Sequence, residues 1–151
     1  MPDGGTVWWT ELNTHHPEKA RKFYTSVFGW AANVMSMADM SRAPKPGEPS
    51  YTTFIKNGQP SLGCFTMDGE MFKKVPDHWF TYFHSTDVDA SVTAIVAAGG
   101  KVHRPPWDVP GVGRMAIVAD AGGAVFGLGK PAMMAPAPAK TAAPKVKKAK
   151  S

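Results

Sequence analysis

The sequence predicts an α+β protein made of two similar halves, each ordered as a strand, a helix and three further strands. Two observations carry that expectation. The stretch Trp8 to Trp30, WWTELNTHHPEKARKFYTSVFGW, returns in altered form as Trp79 to Gly100, WFTYFHSTDVDASVTAIVAAGG. At an offset of 71 residues Trp8 meets Trp79, Thr10 meets Thr81, Thr14 meets Ser85 and Gly29 meets Gly100, the mark of a duplicated supersecondary unit. In both copies, alternation suited to a strand gives way to apolar residues at helical spacing and then to a glycine stop.

In chain order, residues 7 to 14 place Trp9, Glu11 and Asn13 on one strand face and Trp8, Thr10 and Leu12 on the other. Pro17 suits the first helical position, with His16 or Thr14 as the cap before it. Ala20, Phe23, Tyr24, Val27 and Phe28 then form one apolar helix face, and Gly29 ends it. Ala31 to Met37 reads as a strand, and the proline-bearing run to Ser50 reads as a loop. Tyr51 to Lys56 and Ser61 to Met67 form a hairpin around Asn57-Gly58. Residues 68 to 78 join the halves. The second half repeats the order: strand Trp79 to Ser85, cap Asp87, and helix Val88 to Ala98 with Val88, Val92, Ile95 and Val96 inward. A short strand near Lys101 to Arg104, a loop through Pro105-Pro106 to Gly111, and a hairpin of 114–119 with 124–129 complete it.

With 151 residues, 43% of them hydrophobic and 11% aromatic, the chain suits one compact domain over residues 1–130, containing repeat units 7–67 and 79–130. The net charge of +5 suggests nucleic-acid binding until it is located: five lysines beyond residue 130 supply the whole excess, leaving 12 cations against 12 anions before it. That Pro/Ala/Lys-rich tail, 131–151, is expected to be disordered and to give at most weak, salt-sensitive contact with a nucleic acid. One cysteine, Cys64, excludes an intrachain disulfide and a multi-cysteine zinc site, and an apolar strand makes it a buried, inert thiol. No apolar run approaches the ~20 residues that span a bilayer, and MPDGG lacks a signal pattern, so a cytoplasmic protein is expected.

With these residues in place, the chain resembles the vicinal oxygen chelate superfamily, which includes glyoxalase I, bleomycin-resistance proteins and extradiol dioxygenases. The resemblance rests on Ala20-Arg21-Lys22-Phe23-Tyr24 through Phe28-Gly29-Trp30, on Asp87-Val88-Asp89-Ala90 through Ala98-Gly99-Gly100, and on Gly113-Arg114-Met115 with Asp120 through Phe126. It implies two βαβββ modules whose mixed sheet curls into a cup with the helices outside. It also implies, for metal-dependent members, a divalent ion held by His or Glu from four strands. Counted from these motifs, the ligand positions fall on Trp9, on Phe80, near Gly127 and around Cys64 to Thr66. None of these is a His, Asp or Glu, so no metal of the superfamily type and no other cofactor is expected; a divalent ion would need non-standard ligands.

Glu11 shares its strand face with Trp9, where desolvation would raise its pKa and suit it to general-base or anchoring work; the bland alternative is a rim carboxylate paired with Arg114 or a backbone donor. His84, on the face of Phe80 and Tyr82, is a second candidate for proton transfer or a hydrogen-bonded structural residue. His15-His16 lack the i, i+4 spacing of a helical metal pair, and His78 and His103 show no pattern. The expected ligand-binding set is Trp9, Glu11, Phe65, Phe80, Tyr82, Trp107 and Arg114, an aromatic box for a planar or apolar small molecule. Three functions remain open at this point. They are a metal-free small-molecule binder, an enzyme (metal-dependent with displaced ligands, or metal-free through Glu11), and a tail-mediated nucleic-acid module. The resemblance further implies a homodimer.

Overall fold

The structure, a computed structural model, describes residues 4–132. Two βαβββ modules share one open, mixed, eight-stranded sheet. The first comprises β1 (Gly4–Thr14), α1 (Pro17–Phe28), β2 (Ala31–Ser36), β3 (Ser50–Lys56) and β4 (Gln59–Thr66). The second comprises β5 (His78–Ser85), α2 (Val88–Ala97), β6 (Lys101–Val109), β7 (Gly113–Ala119) and β8 (Val125–Pro131). The strand order β2-β3-β4-β1-β5-β8-β7-β6 puts the first strands of the two modules side by side at the centre. They run antiparallel to each other, while β1 is parallel to β4 and β5 is parallel to β8.

The turn chemistry behaves as the residues dictate. Gly29 closes α1 in the left-handed conformation, and Asp87 caps α2 by accepting a hydrogen bond from the Ala90 N–H. Asn57 (φ 52°) and Gly58 (φ 73°) make the two-residue connection between β3 and β4, both in the left-handed region that a primed turn requires. Thr14 caps the approach to α1 indirectly: its hydroxyl accepts from the His16 N–H and donates to Asp77.

Each helix covers one module on the same side of the sheet. Ala20 and Tyr24 of α1 pack with Trp30 and Leu62 on Leu12, Phe54 and Cys64; complete burial of Phe54 contributes about 1.5–3 kcal/mol. Val92 and Ile95 of α2 pack on Val88, Ala116, Val118 and Leu128. The apolar stripe of α1 is wider than its contact. Phe23 and Phe28 remain 56% and 50% exposed, and Val96 of α2, expected inward, is 52% exposed.

One strand departs from expectation. The run Pro105-Pro106, read as a loop, lies inside β6, which continues to Val109. Proline cannot donate to a ladder, but β6 is an edge strand, and the register slips between Arg104 and Trp107 where the prolines sit. The joining segment also contains a 3-10 turn, Glu70–Phe72. The tail expectation falls almost entirely outside the described residues; Pro131 ends β8, and the Ala132 N–H bonds the Val112 carbonyl.

Candidate functional site

Alternation along β1 divides its side chains between two environments. Leu12 goes to the core under α1, so Glu11 and Asn13 face the other way, into the helix-free cup. Opposite them, β5 contributes Phe80 and Tyr82: Glu11 is registered with Phe80 and Trp9 with Tyr82. The repeat offset relates Trp9 to Phe80 and Glu11 to Tyr82, so the centre of the cup is a pseudo-twofold arrangement of four residues.

A fifth residue joins them from β3. Trp9 Nε1 donates to Tyr51 Oη at 2.9 Å, Tyr51 Oη donates to Glu11 Oε2 at 2.9 Å, and Tyr82 Oη approaches Glu11 Oε1 at 3.5 Å. Glu11 is 7% exposed and, among the described residues, touches no cation, so the two phenols are its solvation. Burial raises its pKa from 4.5 to about 7, with the hydrogen bonds from Tyr51 and then Tyr82 opposing the rise. Both phenols are themselves pushed well above their ordinary range, first by burial and then by the neighbouring Glu11 charge; at Tyr82 the charge of Arg104 works in the opposite direction. The arrangement can therefore hold or exchange one proton near neutrality at the carboxyl, while the phenols stay protonated.

Two glycines make room for this cluster. Gly63 lies beside Glu11 on β4, and Gly127 lies beside Tyr82 on β8. A Cβ at Gly63 would overlap Tyr51 Oη, and a Cβ at Gly127 would overlap the Tyr82 ring. A third, Gly129, is covered by the Trp8 ring, which also meets Tyr82 edge-on at a centroid distance of 6.4 Å. Trp8, assigned by alternation to the helix side, thus turns into the cup. The cause is a register slip between Val7 and Trp9 that leaves Trp8 as the extra residue of a bulge.

The remaining candidates are distributed more widely. Phe65 faces the cup next to Asn13 but packs edge-on with Phe72, at 5.8 Å. Trp107, on β6, lies beneath the Arg104 guanidinium, 3.7 Å from the ring centroid. His84 follows Tyr82 on the cup face and is half-buried beside Gly129, away from Glu11. Arg114 is not in the cup. It shares the strand face of Ala116 and Val118, under α2, and pairs with Asp89 at 2.6 and 2.9 Å and with Asp108 at 3.1 Å. Cys64 belongs to the core under α1, where burial raises its thiol to about 11. His15 donates to the Val75 carbonyl at 2.8 Å beside an open groove of about 530 Å³ at the start of α1, outside the cup. His78 donates from Nδ1 to the Pro76 carbonyl and accepts at Nε2 from Asn13 Nδ2, leaving Asn13 Oδ1 buried without a partner among the described residues.

In the metal-dependent proteins that the sequence resembles, four strands supply the ligands, and the residues at those positions here are of other kinds. The pseudo-twofold matches Gly63 to Gly127, so the fourth ligand position is Gly63 rather than the 64–66 stretch. Trp9, Gly63, Phe80 and Gly127 offer no donor, and the space where carboxylates would project from the two glycines is taken by the tyrosines. Among the described residues no three of His, Cys, Asp and Glu converge as a metal site. These residues do not fit the ion.

Tyr51, Trp8, Gly63 and Arg104 were not singled out from the sequence. The Asn57-Gly58 turn pairs Lys56 with Gln59 and Ile55 with Pro60, a register that would set Tyr51 opposite Cys64; a bulge between Phe54 and Ile55 moves it by one residue and brings Tyr51 opposite Phe65, on the cup face. Nothing in the local sequence announces the bulge at Trp8.

The profile of the Glyoxalase/Bleomycin resistance protein/Dioxygenase superfamily matches residues 6–128. A Mycobacterium tuberculosis protein provisionally named glyoxylase CFP32 is 35% identical over 130 residues, 85% of this chain and 45% of its own length. The anthracycline biosynthesis protein DnrV of Streptomyces peucetius is 33% identical over 141 residues, 86% of this chain and 48% of its own. The chain thus spans about half the length of these curated relatives. In fold it is similar to methylmalonyl-CoA epimerase from Mycobacterium tuberculosis, with TM-score 0.59, 13% identity, and coverage of 85% of this chain and 89% of that one. It is similar also to the Mn(II)-bound glyoxalase from Novosphingobium aromaticivorans, with TM-score 0.57, 14% identity, and coverage of 90% and 44%.

Proposed function

The chain belongs to the glyoxalase/bleomycin resistance protein/dioxygenase superfamily, and from that premise we propose that it binds a small planar, largely apolar molecule over the aromatic floor of the cup, without the divalent ion of metal-dependent relatives. The observation that carries this reading is the replacement of the four ligand positions by Trp9, Gly63, Phe80 and Gly127, with Tyr51 and Tyr82 lying in the vacated space. Aromatic faces supply apolar contact area at low entropic cost, and one buried carboxyl supplies orientation. A panel of neutral bicyclic aromatics, read by thermal shift, should raise the melting temperature through binding to the folded state alone. Elemental analysis of protein purified without a metal-binding tag should find no stoichiometric zinc, nickel, iron or manganese. No stabilisation by any compound, or one equivalent of such a metal, overturns the proposal.

A second reading is favoured by the neutral-range pKa of Glu11. A carboxylate that gains and loses a proton near pH 7, between two phenols that keep theirs, is suited to take a proton from a bound molecule and return it. In this reading Glu11→Gln abolishes turnover of any substrate found while binding persists; an unchanged rate rejects it.

We further propose that two copies of the chain pair. The support is the uncovered apolar side chains of Phe23, Phe28 and the 42% exposed Trp79 on the helix side. Light scattering should give twice the chain mass, and Phe23→Glu with Phe28→Glu should halve it; a monomeric parent protein refutes the pairing.

A further inference from the structure

The four arginines of the chain divide unevenly. Arg42 is paired with Glu48 and Asp39, Arg114 with Asp89 and Asp108, and Arg21 reaches the Ser50 and Thr52 hydroxyls. Arg104 has no acid or hydroxyl partner among the described residues; its recorded contact is the face of Trp107.

Register places this unpaired cation. Arg104 is opposite Ile117 on β7, Ile117 is opposite Gly127 on β8, Gly127 is opposite Tyr82 on β5, and Tyr82 is opposite Trp9 on β1. These five residues form one cross-strand row. Ile117 alternates with Ala116 and Val118, which lie under α2, so the row runs across the cup face. Because position 127 has no side chain, the Tyr82 ring lies over it, towards the β7 and β6 side. The Arg104 charge is felt at the Tyr82 hydroxyl.

We propose that Arg104, held flat on Trp107, is the anion-recognising residue of the cup, and that the ligand is a planar aromatic or otherwise apolar carboxylate whose body lies over Tyr82 and Trp9. The inference deepens the proposed small-molecule site and rests on it. Stacking fixes the plane of the guanidinium while leaving N–H groups free, the presentation that suits a two-oxygen acceptor. An acid at this end of the row is separated from Glu11 by the Tyr82 ring, so the ligand's charge and the buried carboxyl do not meet directly. The pseudo-twofold counterpart of Arg104, at the repeat offset, is Asn33 in β2, which carries no charge. The two matching positions thus differ by one positive charge.

The test uses two probes of the same shape, 2-naphthoate and its neutral amide, 2-naphthamide. The five tryptophan indole N–H signals serve as site markers: Trp8, Trp9 and Trp107 belong to the cup, whereas Trp30 and Trp79 lie on the helix side. Titration of the full chain should shift the first three and leave the last two in place, with the acid bound about tenfold more tightly than the amide, the scale of one charge-assisted contact. Arg104→Gln, at an exposed edge position, should remove that preference and leave amide affinity within about twofold; unshifted Trp30 and Trp79 signals report an intact fold. Arg104→Lys should restore only part of it, because lysine keeps the charge and loses the planar stack. If acid and amide bind the cup equally, or if the preference survives Arg104→Gln, the inference falls and the small-molecule site stands. If neither probe moves the Trp8, Trp9 and Trp107 signals, both fall.

Discussion

Replacing Glu11 with glutamine should make stability less dependent on pH, by an amount that follows from the burial of one carboxyl. In the unfolded chain Glu11 titrates near 4.5, and in the folded protein near 7. The folded state therefore binds the proton more tightly. The stability that goes with the protonated form is complete below about pH 4.5 and is lost as pH rises through 7. The difference between the two values corresponds to about 3 kcal/mol. Glutamine has the same shape, keeps an acceptor for Tyr51 and never ionises. Urea unfolding of both proteins at several pH values cancels the titration of every other group when the curves are subtracted. The two should be within about 1 kcal/mol of each other at pH 4.5, and Glu11→Gln should gain on the parent protein by about 3 kcal/mol by pH 8. A difference that stays flat across this range means that Glu11 ionises in the folded state as it does in water, and that burial between two phenols does not control it.

Two other perturbations separate floor from rim. Gly127→Ala should cost about 1–3 kcal/mol by thermal or chemical unfolding, because its Cβ overlaps the Tyr82 ring. The penalty should shrink markedly in a Tyr82→Ala background, and equal penalties in both backgrounds would show the ring is not the obstacle. Arg114→Ala breaks ion pairs whose acids are 60% and 77% exposed, so it should cost less than about 1 kcal/mol and leave naphthoate binding unchanged; a loss of binding would return Arg114 to the ligand set.

The scaffold was legible because its signals are local and repeated. The 71-residue offset, Pro17 with Gly29, Asp87, and Asn57-Gly58 each act within a few residues of themselves, and each is found where the chain chemistry puts it. Strand alternation likewise placed Trp9, Glu11, Phe80 and Tyr82 together. What escaped depends on partners far along the chain. Tyr51 reaches Glu11 from 40 residues away. Pro105-Pro106 reads as a loop until β6 is known to be an edge strand, where a missing N–H costs nothing. Arg114 and Arg104 sit on neighbouring strands in opposite environments, and only the position of α2 decides which of them looks into the cup.

The duplication also bears on the direction in which a guest can lie. Two identical halves would make a receptor that a flat guest could enter in two orientations of equal energy, related by a half-turn about the axis between β1 and β5. Here the halves match in backbone and differ in chemistry: Glu11 answers Tyr82, and Asn33 answers Arg104. The two orientations are no longer degenerate. Under the proposed Arg104 contact, a guest with an acidic end would take only one of the two orientations that a perfect duplicate would leave equal in energy.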